Sequence, residues 1–198
     1  MSMSMTLAGR LRSTALALAA AAAFASALAA APDGHAAPVE AGRAPVTTLK
    51  FVRNAGDPQN SRLTVLRDNH TVASYRAGSG FGAGHPKGRD ECATARGWLP
   101  AGVYAVGARH TRYDGSVIKG YAVPLSDKTC NNGRTRRTAL FIHSEMTRDG
   151  GQGRPESQRW DGPSDYRSNG CIKLAPDDIK KLFAVLADGS APQRLRVV

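Results

Sequence analysis

Apolar and polar residues alternate with a period of two over Thr48 to Arg53, Arg62 to Arg67 and Thr71 to Arg76, the pattern of half-buried strands. Asp68-Asn69-His70 separates the second run from the third and predicts a compact hairpin, so the three form a meander. Gly78 to Gly88, with five glycines and one proline, is a loop, and Trp98-Leu99-Pro100-Ala101-Gly102 is a turn leading into a strand over Val103 to Arg109. Val117 to Pro124 and Thr138 to His143 are the next strands. The second is almost continuously apolar, which predicts burial on both faces. A single helical pattern follows. Pro176 sits in its first turn, Asp177 and Asp178 lie at its positive end, and Ile179, Leu182, Phe183 and Leu186 share one face before Gly189. Arg194 to Val198 alternates as a last strand. The expected fold is mostly β, with sandwich- or barrel-like mixed sheets and one prominent C-terminal helix.

The first 37 residues carry a different pattern. Arg10 and Arg12 precede a small-residue apolar stretch from Ala15 to Ala31, and Gly34-His35-Ala36-Ala37-Pro38 offers a processing site. This is the tripartite plan of a secretory signal, and cleavage is expected near Ala36. An uncleaved membrane anchor is the competing reading; alanine dominance and the Pro32-Asp33-Gly34 breaker argue against it. Residues 1–36 are therefore assigned to a signal, 37–46 to a flexible Ala/Pro/Gly-rich lead-in, and 47–198 to a single domain large enough for a substantial core.

The formal net charge of the chain is +11. Removing residues 1–36 leaves 25 basic and 15 acidic residues, a net +10. In an exported protein such a balance favours anionic surfaces such as wall polymers; basic residues interleaved with aromatics, the mark of nucleic-acid binding, are not evident. The densest basic cluster, Arg134, Arg136 and Arg137, reads as a solvated loop beside a strand, or as a rim that touches the wall.

Three cysteines leave one over if two pair. Cys92 and Cys130 lie in polar, turn-rich surroundings and are assigned to a disulfide, leaving Cys171 free. Cys171 follows Ser168-Asn169-Gly170, and the apolar run Ala139-Leu140-Phe141-Ile142 delivers His143 at a strand end. A thiol needs a neighbouring imidazole and main-chain N–H groups free to hold an oxyanion. Gly170 permits close backbone approach, while Ser168 and Ser144 supply short hydroxyls for orientation. The set suits acyl transfer. His70, His85 and His110 lack ligand spacing, so neither a metal nor another cofactor is expected.

These residues resemble the L,D-transpeptidase (YkuD-like) catalytic domain family. Ser61 to Asp68 is similar to its opening hairpin, Gly78-Ser79-Gly80 to its glycine turn, and Leu99 to Tyr104 to its "TPxGxY" segment. Phe141-Ile142-His143-Ser144 resembles its histidine motif and Ser168 to Leu174 its "SHGCIRL" signature. The resemblance runs from about Thr47 onward and implies a transpeptidase-type fold with Cys171 as nucleophile and His143 as base. It also implies a peptidoglycan stem tetrapeptide as acyl donor and a 3→3 crosslink as product. From its signal and its charge the mature protein is expected outside the cytoplasm in association with the wall, and it is expected to be a monomer. Trimming by water, exchange with a D-amino acid, and a non-catalytic wall-binding module on the same scaffold are the alternatives.

Three departures stand out. Asn169 replaces the signature histidine and can orient but not carry a proton. Lys173 replaces arginine, keeping the charge without the planar fork, which bears on substrate binding. Residues 147–166 lengthen the interval between His143 and Cys171. Trp160 and Tyr166 make this segment either a lid that contacts a sugar or peptide, or a surface loop anchored by its two aromatics.

Overall fold

The computed structural model describes residues 44–198; the expected signal and most of the lead-in lie outside the described residues. The lead-in's last residues are tied to the fold, Val46 N–H donating to Asp68 Oδ1 at 3.0 Å and the Ser190 hydroxyl to Pro45 O at 2.5 Å. Thr47–Val52 (β1), Ser61–Arg67 (β2) and His70–Ala77 (β3) form the expected meander. Leu49, Phe51, Leu63 and Val65 all point into the core, as period-two alternation requires. Arg67 pairs with His70 across a two-residue turn whose Asp68 and Asn69 have φ of 47° and 67°. Short polar residues tolerate that left-handed pair, whose twist matches a hairpin.

The chain continues through Gly102–Ala105 (β4), His110–Asp114 (β5), Lys119–Leu125 (β6), Lys128–Thr129 (β7), Arg136–Arg137 (β8) and Leu140–His143 (β9). It closes with Ile172–Lys173 (β10), the helix Pro176–Ala187 (α1) and Arg194–Val197 (β11). One sheet has the order β3-β2-β1-β11-β4, with β11 inserted parallel to β1. The second has the order β10-β9-β6-β5, with β10 parallel to β9. Strands β7 and β8 form a separate ribbon. The fold is thus mostly β, with mixed sheets and one main helix. Ile179, Leu182, Phe183 and Leu186 of α1 join Leu49, Phe51, Ile142, Ile172 and Leu195 in one core.

Two expectations need correction. The strand expected over Val103 to Arg109 ends at Ala105, because Gly107 N–H turns to donate to Pro124 O at 2.8 Å and carries the chain to the second sheet. The polar run His110–Asp114 then forms β5, a sheet-edge strand that no hydrophobic alternation announced. Arg137, expected in a solvated loop or on an exposed rim, is buried; Arg134 and Arg136 face outward, and Arg136 pairs with Asp127 at 2.9 Å.

Candidate active site

Strand β9 sits between β6 and β10, with Leu140 and Ile142 in the core and Phe141 and His143 on the cleft side. His143 ends β9 with Lys173 of β10 as its register partner, and Cys171 immediately precedes β10. Both line a cleft of about 730 Å³, walled on another side by Tyr113, Gly115, Ser116, Val117 and Ile118 around the β5–β6 turn and by Phe81. Two neighbouring parallel strands therefore bring the expected nucleophile and base to one opening.

His143 Nδ1 lies 3.0 Å from Ser144 O. A carbonyl only accepts, so Nδ1 carries the proton and Nε2 the lone pair. Burial, assisted by the Lys173 charge, pushes the imidazole pKa down to about 3. Burial pushes the Cys171 thiol up to about 11, against a Phe141 main-chain hydrogen bond and the charges of Lys173 and Arg137. The resting pair is a neutral thiol and a neutral imidazole. The thiol faces Ala139 O at 3.7 Å, and Ala139 itself has φ 52°, uncommon for a residue with a side chain.

Ser168 organises the turn before Cys171. Its hydroxyl donates to Cys171 O at 2.6 Å and accepts from Gly80 N–H and Gly170 N–H, each at 3.2 Å. That uses its one donor and both acceptor sites. Ser144 orients differently from the expectation: its carbonyl fixes His143, while its buried hydroxyl has no partner among the described residues. Asn169 lines the cleft, and its main-chain carbonyl accepts from Arg137.

Lys173 lines the cleft but is not free. Its buried ammonium is paired with Glu145, a residue the sequence reading did not select. A charged residue two positions past His143, inside a small and apolar stretch, was the available signal. Trp160 and Tyr166 stack edge to face at 4.8 Å, and the Arg76 guanidinium lies over Tyr166 at 4.3 Å. Neither ring belongs to the cleft lining. Residues 147–166 are pinned internally by Trp160 N–H to Gln152 Oε1 at 2.6 Å and by Asp161 and Gly162 N–H to Asp165 Oδ2. The segment sends Ser157 to the cleft wall, beside Arg167.

Tyr166 also explains Gly78. A Cβ at Gly78 would lie 2.2 Å from Tyr166 O, and Gly78 exchanges two 2.9 Å hydrogen bonds with Lys173, fastening the end of β3 to β10. Cys92 and Cys130 form a disulfide that joins the turns before Trp98 to the end of β7.

Fold and cleft together describe a mixed-sheet β protein with a buried thiol and imidazole at one opening. The model of the L,D-transpeptidase catalytic domain (YkuD) matches residues 56–198, and the chain belongs to that family. Among solved structures it is similar to Bdellovibrio bacteriovorus Bd1075, with 17% identity over 76% of this chain and 47% of that one, TM-score 0.46. It is similar to Mycobacterium tuberculosis L,D-transpeptidase 1, with 16% identity over 78% and 62%, TM-score 0.41. It is also similar to the Enterococcus faecium L,D-transpeptidase catalytic domain, with 18% identity over 77% and 96%, TM-score 0.42. The chain therefore spans 47% of the Bdellovibrio protein and 62% of the mycobacterial one. No curated protein matches it.

Proposed function

We propose that this protein is an exported L,D-transpeptidase that acylates Cys171 with a peptidoglycan stem tetrapeptide. The observation that carries the reading is the delivery of Cys171 and His143 to one cleft by adjacent parallel strands, with Nδ1 of the imidazole held by Ser144 O. His143 Nε2 takes the thiol proton as Sγ attacks the carbonyl of the third stem residue, a diamino acid. The C–N bond then breaks, the same proton passes to the leaving amine, and D-alanine departs. A side-chain amine of a second stem attacks the thioester, gives its proton to His143, and the thiol is restored with a 3→3 crosslink formed. Because Gly170 N–H is engaged by Ser168, Cys171 N–H is the oxyanion donor in this reading.

With Nδ1 protonated, the Nε2 lone pair is free to accept the thiol proton. Asn169 contributes through its main chain, so replacing histidine there leaves the shuttle intact. The disulfide and the basic charge support an extracytoplasmic protein that meets anionic wall polymers. Incubation with purified disaccharide-tetrapeptide, followed by mass analysis of products, tests the reading. Crosslinked dimers are expected. Tripeptide alone means water is the acceptor, and exchange products mean a D-amino acid is. Untouched substrate from folded protein that still binds wall overturns the enzyme reading in favour of a binding module.

A further inference from the structure

Arg137 is 3% exposed, and no carboxylate lies within ion-pairing distance of it among the described residues. Four main-chain carbonyls receive its guanidinium. Nη1 donates to Glu91 O at 2.6 Å and Trp98 O at 3.3 Å, and Nη2 donates to Gly97 O at 3.2 Å and Asn169 O at 3.0 Å. Carbonyl dipoles satisfy the donors but leave the full positive charge uncompensated, whereas buried charges in proteins are ordinarily paired. The guanidinium lies directly beneath the cysteine turn. Gly170 has φ +116°, and a Cβ there would fall 2.0 Å from Nη2, so glycine at this position makes room for the arginine.

From this placement we infer that Arg137 is a positioning residue for acyl transfer, locking the Asn169-Gly170-Cys171 turn and supplying the fixed cation that stabilises the Cys171 thiolate as it forms. The other charges nearby are accounted for. Lys173 is paired with Glu145; Glu91 is engaged by Arg53 and by the Ala101 and Asn131 N–H groups; Asp90 is exposed; and Tyr104 donates its hydroxyl proton to Pro100 O. His143 is neutral at rest. Arg137 is thus the buried charge near the thiol without a counter-ion, and an anion on Sγ would provide one. In a water-poor site a fixed charge acts more strongly than in solvent and needs no reorganisation during the reaction. The fork geometry matters too, because a lysine at this position reaches fewer of the four carbonyls.

The inference rests on Cys171 being the nucleophile, yet its test requires no wall substrate. Cys171 is the free cysteine among the described residues, so alkylation of the intact, oxidised protein reports on it. Thiolate, not thiol, reacts, so the iodoacetamide rate at pH 8 follows the local charge. Arg137→Gln is expected to slow alkylation about tenfold, the effect of one pKa unit, and Arg137→Lys to recover most of it. Arg137→Gln that is folded by circular dichroism yet alkylates at the wild-type rate overturns the inference, as does Arg137→Lys slowed as much as Arg137→Gln. Should Arg137→Gln not fold, wild-type protein decides. Its rate ratio for anionic iodoacetate over iodoacetamide must exceed that of a short cysteine peptide; a ratio no higher overturns the role of the charge. A null alkylation result leaves acyl transfer standing, and an inert tetrapeptide leaves the alkylation result standing.

Discussion

Burial acts on Cys171 and His143 in opposite directions, raising the thiol to about 11 and lowering the imidazole to about 3. Between pH 5 and 9 the thiol is therefore protonated and the imidazole neutral, and thiolate increases tenfold for each pH unit. The iodoacetamide rate of the resting wild type should climb with unit slope through pH 9; a plateau below pH 7 would mean a preformed thiolate–imidazolium pair. Ser168→Ala removes three hydrogen bonds and leaves Gly80 N–H, Gly170 N–H and Cys171 O in search of partners. We expect it to lower unfolding free energy by about 2–3 kcal/mol in urea titration and to slow acylation more than it weakens substrate binding. Glu145→Ala strands the Lys173 ammonium in a buried site, at a cost of about 3–5 kcal/mol. Pairing it with Lys173→Met should recover much of that loss in the same titration, since no charge then remains buried.

The strands that carry the site were mostly legible from their patterns. Thr138 to His143 reads as a strand from its apolar run, of which Leu140 and Ile142 enter the core while Phe141 and His143 line the cleft, and Leu63, Val65 and Tyr75 mark the inward faces of the meander. Strand β5 was illegible because His110–Asp114 lies at a sheet edge, where main-chain pairing suffices and polar side chains face solvent. Arg137 and Glu145 were missed for a related reason: their value comes from long-range partners, carbonyls of residues 91, 97, 98 and 169 for one and Lys173 for the other. The disulfide links elements that contribute to this arrangement, since Glu91, whose carbonyl holds Arg137, adjoins Cys92. With a sequence separation of 38, replacing both cysteines by serine should cost about 4 kcal/mol of stability on the chain-entropy model, read as a shift in denaturant midpoint. An unchanged midpoint would mean that the turns are held by Glu91 and Arg137 alone.

Two sheets and α1 share one core, and the cysteine turn is fastened to it from several directions: by Gly78 just after β3, Gly80, Arg137 of β8 and the parallel register with β9. A site held this way is suited to positioning rather than to large rearrangement, and the internally bonded segment 147–166 fits that description. A net charge of +11, or +10 without the expected signal, favours long-range attraction to anionic polymers. Retention on purified wall should accordingly fall as NaCl rises from 0.05 to 0.5 M, while retention indifferent to salt would point to a shaped binding surface instead. The central claim is that Cys171 forms a thioester with a stem tetrapeptide, and intact-protein mass spectrometry after brief incubation with disaccharide-tetrapeptide tests it most directly. An adduct of the donor minus D-alanine on wild type, absent from Cys171→Ala and strongly reduced in His143→Ala, is the predicted result. Unmodified wild type that has nonetheless consumed the tetrapeptide, or an adduct that persists in Cys171→Ala, would contradict it.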